Sequence, residues 1–109
     1  MNRVNHDKNM QALIARIQAA GQRPRLLLHC CCAPCSTAVV ERLREAFDLD
    51  LYYYNPNMDS AEEHDLRARE LTRLALDAAP EAAALIVPYD PEAWRQATLG
   101  LEEAPEGGG

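Results

Sequence analysis

The chain has 109 residues, 48% of them hydrophobic, which suits one small domain whose core cannot be deep. No run approaches the ~20 apolar residues of a bilayer-spanning helix, and the amphipathic opening from Met1 to Ala20 is a poor secretory signal; a cytoplasmic location, with no membrane partner, follows by default. The net charge of −6 hides an asymmetry: Met1 to Arg44 carries +5 and Glu45 to Gly109 carries −11, so a polyanion is admitted only to the first part, although a solvated surface of mixed sign is the simpler reading of charge alone.

Met10, Leu13, Ile14 and Ile17 recur at helical spacing and predict an amphipathic helix over Asp7 to Ala20, ended by Gly21. Arg25 to His29 reads as a short buried strand. Pro34 stands at a helix first turn, with Val39, Val40, Leu43 and Phe47 as the buried stripe. Leu49 to Tyr54 is a second, aromatic-rich strand, in which Tyr52 and Tyr53 are packing residues. Asn55-Pro56-Asn57 is a loop. Ser60 and Glu63 form a capping box that opens a helix to about Ala79, burying Leu71, Leu74, Ala75 and Ala78. Ala84 to Val87 is a third strand, and Pro91 opens a last helix around Trp94. The order α-β-α-β-α-β-α predicts a single α/β domain over 1–109. Its three-stranded parallel sheet, flanked by helices, is half of a doubly wound, Rossmann-like fold. An acidic, glycine-rich tail occupies 100–109.

The chemistry is concentrated in one place. All four cysteines, Cys30, Cys31, Cys32 and Cys35, fall within six positions where the first strand yields to a helix. In an open parallel sheet that turn is where ligands bind. A phosphate-binding turn would carry glycines for close backbone approach; this one has none. In a reducing compartment clustered cysteines are metal ligands or catalytic thiols more often than disulfides. Cys32 and Cys35 have the C-x-x-C spacing that lets two sulfurs converge on one iron or zinc. Cys35, in a helical first turn, is placed for a stabilised thiolate. Strand alternation separates Cys30 from Cys31, and Cys30, nearest the strand, is the one expected to be packed. No second knuckle exists for structural zinc. An iron–sulfur cluster with a borrowed corner, a thioredoxin-like dithiol and plain core packing all remain open readings of these residues.

Beyond the cysteines, His29 is a candidate ligand or proton donor, more simply a hydrogen-bonded strand-end histidine. Tyr54 and Asn55 close the second strand on the same sheet edge, with a place beside a substrate and a role in shaping the turn evenly matched. Trp94 is more simply an anchor for its helix than a nucleobase platform. His64 reads as a partly buried histidine on the inner helix face.

With Leu27-Leu28-His29-Cys30-Cys31-Cys32-Ala33-Pro34, Tyr54-Asn55-Pro56-Asn57, Tyr89-Asp90-Pro91 with Trp94, and Gly100 through Pro105 to Gly108 in order along the chain, it resembles the QueH family of epoxyqueuosine reductases. The resemblance implies an adenine-nucleotide-hydrolase-like sheet and an iron–sulfur cluster, 4Fe-4S in type, with an additional iron beside it. It implies reduction of epoxyqueuosine to queuosine at the tRNA wobble position, with tRNA and an electron donor as partners. That reaction takes two electrons and two protons and releases water, so a cofactor must supply the electrons. Cys31 and Cys32 match the family's paired metal cysteines, and Cys35 stands where family members carry Cys or Asp. Tyr54, His29 and Asp59 are the candidate proton donors. Family members continue past the glycine-rich loop into further cysteines, so the chain resembles an N-terminal portion, with a C-terminal remainder expected. A non-catalytic metal-binding fragment and a C-x-x-C thiol oxidoreductase are the alternative readings.

Overall fold

Seven elements alternate along the chain in a computed structural model that describes residues 3–105. They are α1 (His6–Ala19), β1 (Arg25–His29), α2 (Ala33–Leu43), β2 (Asp48–Tyr53), α3 (Ala61–Ala78), β3 (Ala83–Ile86) and α4 (Pro91–Ala97). The three strands form one parallel sheet in the order β1-β2-β3. The expected α/β architecture is therefore present. Residues 106–109 of the expected acidic tail lie outside the described residues.

Local chemistry accounts for the helix starts. Asn5 accepts from the Lys8 amide at 3.0 Å and caps α1. Ser60 accepts from the Glu63 amide at 3.1 Å and caps α3. Asp90 does the same for Ala93 at α4, with Pro91 in the first turn where a missing amide hydrogen costs nothing. Gly21, at φ +67°, provides the left-handed residue that stops α1.

The core lies between one face of the sheet and α2 with α3. Leu49, Leu51 and Tyr53 alternate inward along β2 and meet Val40 and Leu43 of α2 and Ala68, Leu71 and Ala75 of α3. β2 is central and carries the buried side chains; β1 and β3 are edges. The strand Arg25–His29, expected to be buried, alternates between half-buried and exposed instead. An edge strand of a sheet covered on one face can hide only every second side chain.

The stripe on α2 also differs from expectation. Ser36, Val40 and Leu43 are buried, Phe47 is half-buried beyond the helix end, and Val39 is 41% exposed. The i, i+4, i+7 row that begins at Ser36 faces the sheet, which turns Val39 outward beside Cys35. On α3, Leu71 and Ala75 are buried, while Leu74 and Ala78 are only half-buried. On α1 no residue is fully buried and Leu13 is exposed; Met10 and Ile14 alone rest against the core. His64 is buried more completely than expected, at 2% exposure. Its ring lies 5.0 Å from those of both Tyr53 and Tyr89, and its Nδ1 donates to Asp65 at 3.0 Å.

At the amino ends of the strands, opposite the cysteines, Arg25 meets the Asp50 carboxylate at 2.6 and 3.2 Å. The guanidinium holds the Asp50 carboxyl below its ordinary range. A depressed folded-state value means that this contribution is complete above the ordinary aspartate range and fades as pH falls toward the folded value. Asp50→Asn is expected to flatten the acid side of the stability profile between about pH 4 and the acid limit. Urea midpoints measured across that range check it; an unchanged acid slope refutes it.

Candidate metal centre

β1 runs apolar to Leu28 and then delivers His29 and the cysteines to the carboxyl edge of the sheet. The Cys30 amide donates to the Tyr52 carbonyl at 2.9 Å, the last rung of the ladder. The chain then turns and Cys32, extended at φ −158°, ψ 157°, becomes the N-cap of α2 with Pro34 in the first turn. That short step from strand to helix brings the Sγ atoms of Cys31, Cys32 and Cys35 within 4.8 Å of one another. Cys30 is excluded. It is packed in the core, its thiol directed to the Leu28 carbonyl at 3.6 Å, and burial pushes its pKa up.

The three gathered thiols differ electrostatically, and not as the helical position of Cys35 suggests. Cys32, 8% exposed, is the one whose pKa is lowered. The Cys35 thiol is the main cause and the Cys35 amide the next; Cys31 and the positive charge of Arg67 add to it. Cys35 is correspondingly raised by its neighbour Cys32. The N-cap position, ahead of the helix, faces the free amides more directly than the first turn does. The favoured thiolate is therefore Cys32, whereas the helical first-turn position alone suggests Cys35.

Several residues hold the turn in place. Asn55, buried at the end of β2, donates through Nδ2 to the Cys30 carbonyl at 3.2 Å. Ser36 Oγ, buried one turn into α2, donates to the Cys32 carbonyl at 2.7 Å. Arg67 reaches toward Cys32 from α3 while bonding Glu63 at 2.6 Å. Ser36 and Arg67 were not singled out from the sequence. Ser36 follows Cys32 by four residues, the reach of a back-bond to a helical carbonyl, and that spacing was the available signal. Arg67 had none, because it arrives from another helix.

Asn55→Ala is expected to strand the Cys30 carbonyl in the interior and destabilise the chain by about 1–3 kcal/mol. Denaturant titration gives the loss, and loss of metal uptake at temperatures where the variant is still folded separates loosening of the turn from unfolding. No change in either property would remove Asn55 from the support of the site.

His29 lies beside Cys31 and Cys35, and Tyr54 is joined to His29 at the end of β2. His29 Nε2 donates to the Tyr54 carbonyl at 3.0 Å, and the two side chains flank Tyr52, at ring separations of 5.7 and 6.2 Å. A shallow recess of about 170 Å³ is bordered by Leu28, His29, Cys31, Cys35, Ser36 and Val39. Asp59 is on the exposed loop before α3 and is not gathered with the thiols. Trp94 is half-buried on α4. The loop Asn55–Ser60 is pinned from that side by Tyr89, whose hydroxyl donates to the Met58 carbonyl. The basic residues of the first part are not concentrated here. Arg23 and Arg25 are paired with Asp48 and Asp50 at the far end of the sheet, and Arg42 is paired with Asp7.

Comparison with known proteins agrees with the arrangement of the motifs. The family model described as epoxyqueuosine reductase QueH matches residues 26–109. The chain is 34% identical over 112 residues to the epoxyqueuosine reductase QueH of Staphylococcus epidermidis, covering 97% of this chain and 47% of that protein. It is 31% identical over 110 residues to the protein of the same name from Streptococcus pyogenes, covering 97% and 43%. A third, from Histophilus somni, is 36% identical over 92 residues, covering 77% and 34%. The chain thus spans about half, or less, of the length of the curated relatives it matches. No solved structure matches it significantly.

Proposed function

The chain belongs to the QueH family of epoxyqueuosine reductases, and from that premise we propose that it carries the thiol centre of an enzyme reducing epoxyqueuosine to queuosine in tRNA. The observation that carries this reading is the convergence of Cys31, Cys32 and Cys35 at the carboxyl edge of the sheet, within a chain of that family. Three soft thiolates suit iron or zinc. Thiolates on one tetrahedral ion with bonds of about 2.3 Å stand about 3.8 Å apart, so sulfurs within 4.8 Å are spaced for a single ion. Cys31 and Cys35 are exposed and free to spread toward a larger guest. On this reading the three cysteines hold an iron–sulfur cluster, 4Fe-4S in type, a further ligand comes from outside the matched half, and an additional iron sits alongside.

Such a centre, when bound, supplies the two electrons that the epoxide requires from an external donor. The chain's own residues do the rest. The Cys35 thiol and amide, with the positive charge of Arg67, lower the Cys32 pKa and so ease its conversion to the ligating thiolate. His29, Tyr54 and Asp59 are the candidate proton donors of this reading; His29 borders Cys31 and Cys35 and bonds the Tyr54 carbonyl, and Asp59 is on the exposed loop before α3. Val39 and Leu28 give the recess apolar walls. Among the described residues no helix is long and apolar enough to cross a membrane, and a tRNA substrate places the enzyme in the cytoplasm.

The test is anaerobic reconstitution with iron and sulfide, followed by incubation with epoxyqueuosine-containing tRNA and a low-potential reductant. Mössbauer-visible iron on the chain and loss of one oxygen from the modified nucleoside, read by mass spectrometry, support the proposal. Colourless protein with stoichiometric zinc overturns it. Iron without turnover selects the metal-binding fragment, provided that adding the unmatched half of a relative restores reduction. The depressed Cys32 opposite a raised Cys35 favours one second reading, a metal-free dithiol; disulfide exchange lost in Cys32→Ser or Cys35→Ser protein without metal would select it.

A further inference from the structure

The sheet carries an aromatic row that the core does not use. In the ladder His29 of β1 stands beside Tyr52 of β2, and Tyr52 stands beside Leu85 of β3. Tyr52 alternates with the inward Leu51 and Tyr53, so it and its register partners point to the face turned away from α2 and α3. Tyr54 follows on the same side, just past the strand end. Ring centroids are 5.7 Å apart from His29 to Tyr52 and 6.2 Å apart from Tyr52 to Tyr54, with planes tilted by 48° and 45°. His29 is exposed, Tyr54 is 37% exposed, and Tyr52 is half-buried between them. The bond from His29 Nε2 to the Tyr54 carbonyl ties the first ring to the backbone of the third. The rings are thus held in place without being sealed from solvent. His29 also borders the recess with Cys31 and Cys35, so the row ends at the thiols.

We propose that His29, Tyr52 and Tyr54 form a stacking surface for unpaired nucleobases of the RNA that carries the modified nucleoside. That RNA is the ligand rests on the proposed function; that its bases stack here rests on the rings. Single-stranded RNA is recognised by stacking its splayed bases on aromatic side chains, histidine included, and a common RNA-binding module presents such rings from neighbouring strands on an open sheet face. The likeness to this row is an analogy of chemistry. The wobble nucleotide lies in a single-stranded loop, so its neighbours offer free base faces. A base seated on Tyr54 and Tyr52 directs the adjoining nucleotide toward His29 and the thiols. Charge agrees with this mode of binding. Arg25, at the far end of the same face, is paired with Asp50, and Arg23, Arg42 and Arg67 are paired with Asp48, Asp7 and Glu63. With these cations taken up by carboxylates, affinity comes from base faces more than from phosphates, and salt has little hold on it.

The test uses the metal-free chain and a short anticodon-loop RNA with 2-aminopurine beside the wobble position. Binding is expected to quench the 2-aminopurine fluorescence, the signature of stacking. The logarithm of affinity should fall against that of salt with a slope shallower than about −1.4, the value for two phosphate contacts on a single strand. Tyr54→Leu, at an exposed site and checked for folding by circular dichroism, should weaken binding roughly 5- to 100-fold and reduce the quenching. Tyr54→Phe keeps the ring and loses the hydroxyl, so it should bind and quench as the parent does, whatever becomes of proton donation. Absence of RNA binding by the parent overturns the proposal, as does equal binding by Tyr54→Leu. A steep salt slope without quenching, the mark of backbone contact alone, also overturns it. A homodimer of the chain that Tyr54→Leu dissociates overturns it in favour of self-association. Stacking without iron uptake supports this surface and removes the metal centre; iron uptake and reduction with RNA affinity indifferent to Tyr54→Leu do the reverse.

Discussion

Alanine at Cys32 is expected to cost the chain its metal affinity by more than about 100-fold, beyond the 10- to 100-fold that loss of a supporting contact causes. Cys32 is the shielded sulfur of the three, the N-cap of α2 and the thiol whose ionisation the surroundings favour. Ligation requires the thiolate, so a thiol whose surroundings favour ionisation loses less binding free energy to deprotonation than a neighbour whose pKa is raised. Cys31→Ala removes a more exposed sulfur and should have the same direction of effect. Cys30→Ala should leave affinity unchanged, because that thiol is packed away from the others and bonded to Leu28. Chelator competition with anaerobically loaded protein ranks the three variants. Equal metal retention by Cys32→Ala and the parent would mean that the gathered sulfurs are not the binding set.

The largest loss of stability should follow from Tyr53→Ala. Tyr53 is the bulkiest of the fully buried side chains and occupies the central strand. Its hydroxyl donates to the His64 carbonyl at 2.9 Å, and its ring meets the His64 ring edge-on. One side chain thus joins the sheet to the start of α3. Truncation removes the ring, leaves a cavity and costs about 3–5 kcal/mol, a large share of the ~5–15 kcal/mol that holds a small domain together. Tyr53→Phe keeps the packing and loses only the hydrogen bond, for about 0.5–1.5 kcal/mol. Urea unfolding of the two variants distinguishes these effects. A penalty for Tyr53→Phe as large as that for Tyr53→Ala would place the energy in the hydroxyl instead of the ring. Because β2 also delivers Asn55 to the cysteine turn, a partly unfolded Tyr53→Ala protein should lose metal along with structure.

Element order and type were legible because they depend on neighbours in the chain. The aromatic-rich run Leu49 to Tyr54, the Ser60–Glu63 cap and the prolines at Pro34 and Pro91 are local signals, and each marks the element found there, β2 within one residue at either end. Misreadings occurred where burial depended on what lies across the sheet. Arg25–His29 is apolar enough for a buried strand, yet it is an edge with one bare face. Val39 has a core side chain, but α2 is rotated about its axis so that Ser36 takes the inward place. His64 gave no hint that two tyrosines, one from β2 and one from beyond β3, would enclose it.

The cysteine cluster divides the same way. That thiols would meet at the end of β1 was fixed by their spacing in the chain, since a strand-to-helix turn can bring three residues out of five consecutive positions together regardless of the rest of the fold. Which of them has its ionisation favoured, and what steadies them, depends on the folded arrangement around them. The Cys32 pKa is lowered first by the Cys35 thiol and amide and then by Arg67 from a different helix, and the turn is held by Asn55, 25 residues from Cys30 along the chain. Spacing acts over covalent distances and can be read in one dimension. Electrostatics and hydrogen bonding act through space, and they take their values only once the sheet has brought distant segments side by side.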